Sequence, residues 1–289
     1  MKSSVKLAFL DSGIGGLTVL EAFCKHNPSG QSKSADEIIY LADLANLPYG
    51  GKSSEHLIQI LLSNLHWLQA RKTNVVVLAC NTSSSLLNDS IRRLFPDMQI
   101  LGLIDSLAAS LKASCLELKD VAVFCTEATH RSGAYKSKIL EVLPDATVFS
   151  VACPKLVPLI EAWVDSPDEQ LEVQALPILD EYISNLPCEP QALVFGCTHY
   201  PLLKQCFHKL LPRTLLIDPA EAIVHELKDL HFADGHSSLK AYSSAHPVSP
   251  LSNKLASLKE ILNCAKYFSS EVEYAPTADN VFGLKSIRG

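Results

Sequence analysis

Two cysteines sit in matching local settings. Cys80 follows an apolar run in VVVLACNT (residues 75–82), and Cys197 follows one in LVFGCT (residues 193–198). Each string reads as a strand, a small residue, the thiol, and then polar residues that open a helix. A thiol at a helix start feels the partial positive charge of the helix N-terminus, which favours a thiolate. The reference thiol pKa is about 8.5, so small local shifts can make one thiol of a pair a base and the other an acid. A single cysteine in this setting reads as a buried residue beside a helix cap. Its repetition weakens that reading.

Other groups of suitable chemistry lie near these two. Asp11 and Ser12 end the first apolar run and lead into the glycines of DSGIGG (residues 11–16). Such glycines let backbone N–H groups approach an anion at a helix start; a plain turn capped by Asp11 or Ser12 is the alternative. The string is not GxGxxG, which argues against a dinucleotide site. Pro48, Tyr49, Gly50 and Gly51 follow the second strand and form either a turn or one wall of a pocket. Asn81 and Thr82 after Cys80, and Thr198 after Cys197, offer donors for a carboxylate. His199 could tune Cys197 or relay its proton. Cys197 and His199 lack the rest of a metal-ligand set. Cysteines 24, 115, 125, 153, 188, 206 and 264 lack polar partners of this kind and read as core or neutral surface.

These residues need elements that hold them. Residues 5–10, 37–41 and 75–79 read as strands. Residues 17–24, 54–70 and 83–94 read as helices, the second with apolar residues spaced by three and four. The alternation predicts parallel strands with right-handed crossovers. It then restarts: strands over 121–125, 147–151 and 192–195 alternate with helices over 134–143, 168–183 and 201–211. A strand at 215–217, a helix over 219–230 and a closing helix over 254–265 follow. The spacing between the two cysteines nearly equals that between the first strands of the two halves. The expectation is an α/β fold of two pseudo-symmetric open parallel-sheet domains facing across a cleft. Residues 1–102 plus 218–289 would carry Cys80, and residues 103–217 would carry Cys197.

Composition sets the wider bounds. The chain has 289 residues, 47% hydrophobic and 19% charged, which suits globular cores. The net charge of −6 and the scattered Lys and Arg argue against primary nucleic-acid binding. No run approaches the length of a membrane helix, and the apolar stretch at 5–10 ends in Asp11, unlike a signal peptide. The nine cysteines, without CxxC pairs, do not suggest a disulfide framework or a zinc ribbon. A cytoplasmic protein is expected.

The strings LDSGIGGLTVL, LPYG, ACNTSS and GCTHYPLL, in this order and spacing, resemble the Asp/Glu racemase superfamily and, within it, the glutamate racemase branch. The likeness runs from Phe9 to about Asp218. VPLIE at residues 157–161 adds Glu161 as a supporting acid, and Thr126 and Thr129 fall where the family has a Thr-x-Gly-Thr substrate loop. Ala128, His130 and Leu44 depart from the family pattern, and the tail after Asp234 matches poorly. The resemblance implies interconversion of L- and D-glutamate without cofactor or metal, in a homodimer that supplies D-glutamate for peptidoglycan. Cys80 would act on the D-enantiomer and Cys197 on the L-enantiomer. Asp11 and Ser12 would hold the ammonium, and His199 with Glu161 would tune Cys197. Aspartate or another amino acid could be the substrate instead. A thiol hydrolase using Cys197 and His199 leaves the Cys80 repeat unexplained, and an inactive amino-acid-binding regulator leaves both thiols unexplained.

Overall fold

Strands buried on both faces need uniformly apolar residues, and helices must then cover both sides of the sheet. The strand sequences meet this demand: VVVL at 75–78 and ALVFG at 192–196 are buried throughout. The computed structural model describes residues 5–26, 37–165, 170–228, 238–244 and 273–274.

In chain order the strands are β1 (Lys6–Asp11), β2 (Glu37–Ala42), β3 (Val75–Leu78), β4 (Gln99–Gly102), β5 (Asp120–Cys125), β6 (Thr147–Ala152), β7 (Ala192–Gly196), β8 (Leu215–Ile217), β9 (Ser238–Ser243) and β10 (Glu273–Tyr274). The helices are α1 (Leu17–His26), α2 (Ser54–Ala70), α3 (Asn81–Ser84), α4 (Asp89–Leu94), α5 (Leu103–Ser114) and α6 (Glu127–Ser132). They continue with α7 (Ala134–Val142), α8 (Leu156–Asp165), α9 (Leu171–Ser184), α10 (Lys204–Leu210) and α11 (Pro219–Lys228).

Two parallel sheets result. One has the order β10-β9-β2-β1-β3-β4 and the other β6-β5-β7-β8. The inner part of the first, 2-1-3-4, is the order of the second one unit later. The register makes the correspondence specific. Leu10 pairs with Leu78, so the next step sets Asp11 beside Ala79. In the second sheet Cys125 pairs with Gly196. Cys80 and Cys197 therefore leave equivalent strands at equivalent heights, and Asp11 has Cys125 as its counterpart.

The two halves share a core. Phe9, Leu17 and Leu20 of the first half belong to one buried cluster with Phe124, Phe195 and Phe207 of the second. Helix α11 packs on both α1 and α5 and so ties the sheets together.

Several elements differ from the sequence expectation. The helix expected over 83–94 is broken. α3 ends at Ser84, and Asn88 starts α4 by accepting from Ile91 N at 3.0 Å. The helix expected over 201–211 begins as a 3-10 turn, Tyr200–Leu203. β4, α5, α6, α8, β9 and β10 were not anticipated. β9 pairs with β2 and so brings part of the tail back to the first sheet. The closing helix expected at 254–265 lies outside the described residues. Among the described residues, no helix is long and apolar enough to cross a membrane.

Candidate active site

The carboxyl ends of both sheets open on one cavity of about 420 Å³. Ligands in open α/β sheets bind at this edge, because there the strands deliver side chains and the helices begin. Cys80 lines the cavity from the first half and Cys197 from the second. Ser12, Pro48, Tyr49, Gly50, Asn81, Thr82, Thr126, Glu161, Thr198 and His199 complete most of the wall. Thr129 and Asp11 do not line it. Thr129 stands behind the wall, 3.2 Å from Thr82 Oγ1 and 3.0 Å from Thr126 Oγ1. Thr82 and Thr126 are themselves 3.0 Å apart, so the three hydroxyls form a triangle joining the two halves.

Asp11 is fully buried beneath the floor. Its carboxylate accepts from Gly13 N at 2.8 Å and from Thr198 Oγ1 at 3.4 Å. Burial raises its pKa above the usual carboxylate value, against the opposing pull of His199 and of the Gly13 and Gly16 N–H groups.

The surroundings of the two thiols differ. Cys80 Sγ donates to Ser12 Oγ at 3.6 Å. Burial, and then the charge of Asp11, push the Cys80 thiol up to about 11. The N–H of Ser83 and the Ser12 hydroxyl oppose this shift but do not overcome it. This corrects the expectation of a thiolate favoured by the helix start: α3 is four residues long, and a buried carboxylate stands beside it. Cys80 therefore rests as a protonated acid.

Cys197 Sγ lies 3.7 Å from His199 Nδ1, and His199 Nε2 lies 2.7 Å from Glu161 Oε1. Burial alone would lower the His199 pKa. Hydrogen bonds and charges from Cys197 and Glu161 outweigh burial and hold it well above the usual histidine value. The imidazolium thus presents an N–H to Cys197 sulfur.

Gly13 N donates to Asp11, as in a turn capped by that carboxylate, and Gly15 serves a further end. A Cβ on Gly15 would stand 2.4 Å from Thr198 Oγ1 and 2.6 Å from His199 Nδ1. Glycine is needed at this position so that the Cys197 loop of one half can press against the other.

The Pro48–Gly50 wall is braced by a buried carboxylate. Asp43 accepts from Tyr49 OH at 2.5 Å, from Asn64 Nδ2 at 3.0 Å and from Ser244 Oγ at 2.7 Å. Across the cleft, Ala128 N donates to Gly50 O at 3.0 Å.

Sequence reasoning missed several wall residues: Leu47, Glu127, Pro154, Val157 and Pro158. Val157 and Pro158 were in view as part of VPLIE, but only Glu161 was singled out. Cys153, read as core or neutral surface, also lies on the wall. Burial pushes its thiol far up, as it pushes Cys125 up to about 12. Both are held neutral. The described cysteines are all free thiols. Among the described residues, no group of three or more His, Cys, Asp or Glu side chains is arranged to hold a metal ion.

The sequence model of the Asp/Glu/hydantoin racemase family matches residues 24–227. A glutamate racemase of Microcystis aeruginosa is 32% identical over 278 residues, covering 96% of this chain and 90% of that protein. One from Picosynechococcus is 37% identical over 254 residues, covering 86% of this chain and 82% of that protein. Among solved structures, the glutamate racemase of Francisella tularensis in complex with D-glutamate superposes with a TM-score of 0.78. It is 26% identical and the alignment covers 96% of this chain and 98% of that one.

Proposed function

Since the chain belongs to the Asp/Glu/hydantoin racemase family, we propose that it interconverts L- and D-glutamate by proton transfer between two thiols. The observation that carries the mechanism is that Cys80 and Cys197 leave equivalent strands of two halves and face one cavity. Racemisation removes the α-proton from one face of the carbon and returns a proton to the other. It needs two groups on opposite sides, each able to serve as acid or base. A hydrolase needs one nucleophile and leaves the second thiol without a task.

In the resting protein Cys80 carries its proton and Cys197 stands against the His199 imidazolium. For L-glutamate the reacting form has Cys197 as the thiolate and Cys80 as the thiol. Cys197 sulfur takes the α-proton, and Cys80 delivers its own to the opposite face. The reverse reaction starts from the exchanged protonation, with Cys80 as base and Cys197 as acid. As the proton leaves, charge builds on the substrate carboxylate, which becomes enolate-like. Donors fixed in advance stabilise such charge strongly in a water-poor site. The donors here are backbone N–H groups that follow each thiol, the Asn81 amide and the Thr82 hydroxyl. Asp11, beneath the floor, acts through Cys80 and Thr198. No cofactor or metal enters these steps. D-Glutamate formed in this way would serve peptidoglycan synthesis, and a cytoplasmic homodimer is the setting that the family likeness implies.

The test is incubation of purified protein with L-glutamate in D2O, following optical purity and α-deuterium. D-Glutamate carrying deuterium at Cα is expected, at equal yield after exhaustive EDTA dialysis. Loss of activity on dialysis, restored by a divalent metal, would remove the two-thiol mechanism. Glutamate should be preferred over aspartate, although one methylene is worth only about 1–3 kcal/mol in a pocket. A higher kcat/KM on aspartate would reassign the substrate.

A further inference from the structure

The residue after each thiol is held by a side chain from the opposite half. Thr198, after Cys197, has its carbonyl oxygen 3.1 Å from Thr18 Oγ1 on α1 of the first half, a donor it shares with Gly15 O at 2.9 Å. Asn81, after Cys80, has its Oδ1 accepting from the Tyr135 hydroxyl, on α7 of the second half. We propose that Tyr135 is a positioning residue for the reaction, whose O–H fixes the Asn81 amide so that its NH2 group faces the cavity and donates to the substrate carboxylate. This rests on the racemase reading above and adds to it a residue that acts through Asn81.

The argument begins with the amide. A primary amide has two ends of nearly equal size and opposite hydrogen-bonding character. Unrestrained, Asn81 could turn either end to the cavity it lines. Only the NH2 end suits an anion. Tyr135 breaks the tie. It is buried, and that burial is the main cause holding its proton on, well above the usual tyrosine value. Among the described hydrogen bonds, the acceptor for that proton is Asn81 Oδ1. Reversing the amide would strip the phenol proton of its acceptor in a dry interior. It would also aim a carbonyl oxygen at the substrate anion. Both consequences disfavour the reversed state.

The alternative role for Tyr135 is packing. Its ring belongs to the apolar cluster of Val121, Val123 and Ile139. Tyr135→Phe keeps that ring and removes only the oxygen, so it separates the two roles. The arrangement also means that this donor is aligned only while the halves are packed together.

The experiment is a double-mutant cycle of Tyr135→Phe and Asn81→Ala, reading KM and kcat in both directions, with circular dichroism to verify folding. Tyr135→Phe is expected to raise KM about tenfold, a typical hydrogen-bond contribution, with a smaller change in kcat. In the Asn81→Ala background it should change KM less than twofold. A silent Tyr135→Phe, or an equal effect in both backgrounds, overturns the proposal. A structure of the wild-type protein with D-glutamate is the second check. Asn81 more than 3.5 Å from every carboxylate oxygen overturns it too. Wild-type turnover of glutamate, measured alongside, separates failure of this inference from failure of the racemase reading.

Discussion

The two thiols are chemically unlike despite their equivalent positions. Cys80 faces a buried carboxylate, and Cys197 faces an imidazolium bonded to Glu161. In the proposed mechanism each direction of racemisation uses one thiol as base and the other as acid. Cys80→Ala or Cys197→Ala should therefore abolish racemisation in both directions. Exchange without inversion is another matter. Cys197→Ala keeps the Cys80 side and should still wash the α-proton of D-glutamate slowly into solvent, as read by NMR in D2O. Near-wild-type racemisation by a folded Cys80→Ala protein would sink the mechanism. Asp11 gives a second prediction at this scale. Burial is the larger cause of the Cys80 shift and Asp11 the next. Asp11→Asn removes only the charge, so the Cys80 pKa should fall from about 11 but stay above the ordinary thiol value of about 8.5. Alkylation rate against pH, measured in the Cys197→Ala background, reads this directly. An unmoved midpoint would mean that Asp11 is not the charge that Cys80 feels.

At the scale of elements, the site depends on how closely two loops from different halves approach. Gly15→Ala places a methyl group on Thr198 and His199, the residues that flank and tune Cys197. Displacement of reacting groups by about 1 Å can cost on the order of 10²-fold in rate. A loss of that order in kcat/KM is expected, with a melting temperature lowered by several degrees, since overpacking a buried site costs about 1–3 kcal/mol. Wild-type kcat/KM would show that the Cys197 loop tolerates the shift. The same close approach marks the limit of what the sequence could tell. The thiols were legible because they follow apolar strands, which keep their pattern wherever they lie in the sheet. Gly15 was legible as a turn glycine, but the close approach it permits depends on a partner far along the chain. Tyr135 gave no signal, since a tyrosine on an apolar helix face reads as core. The break between α3 and α4 was written in Asn88, a capping residue hidden inside an otherwise helical apolar pattern. β4 was missed because it is four residues long and begins with an exposed Gln99. α8 was seen only as a motif carrying Glu161. With Pro158 in its first turn, it did not read as a helix.

The whole molecule joins two copies of one sheet pattern whose chemistry has diverged. Asp11 in the first half has Cys125 as its counterpart in the second, so the charge that acts on Cys80 has no equivalent beside Cys197. That asymmetry invites the expectation that the enzyme favours one direction, but thermodynamics limits how it can show. The enantiomers of glutamate have equal free energy in water, so the equilibrium constant is one. Free enzyme and free substrate are the same reference for both directions, and the transition states of the interconversion are shared. Hence kcat/KM for L- and D-glutamate must be equal at every pH, in the wild type and in any variant. The asymmetry can appear only in kcat and KM separately, through the relative stability of the two bound states. Glu161→Gln weakens one of the supports that raise the His199 pKa. The imidazolium beside Cys197 is then lost at lower pH, and the alkaline limb of kcat/KM should move down in pH. It should move identically for both enantiomers, while kcat and KM change unequally between them. Circular dichroism progress curves started from each pure enantiomer across a pH series measure all four constants. An alkaline limb that stays in place would remove His199 from the tuning of Cys197. Limbs that separate between L- and D-glutamate would mean that the reaction followed is not simple interconversion.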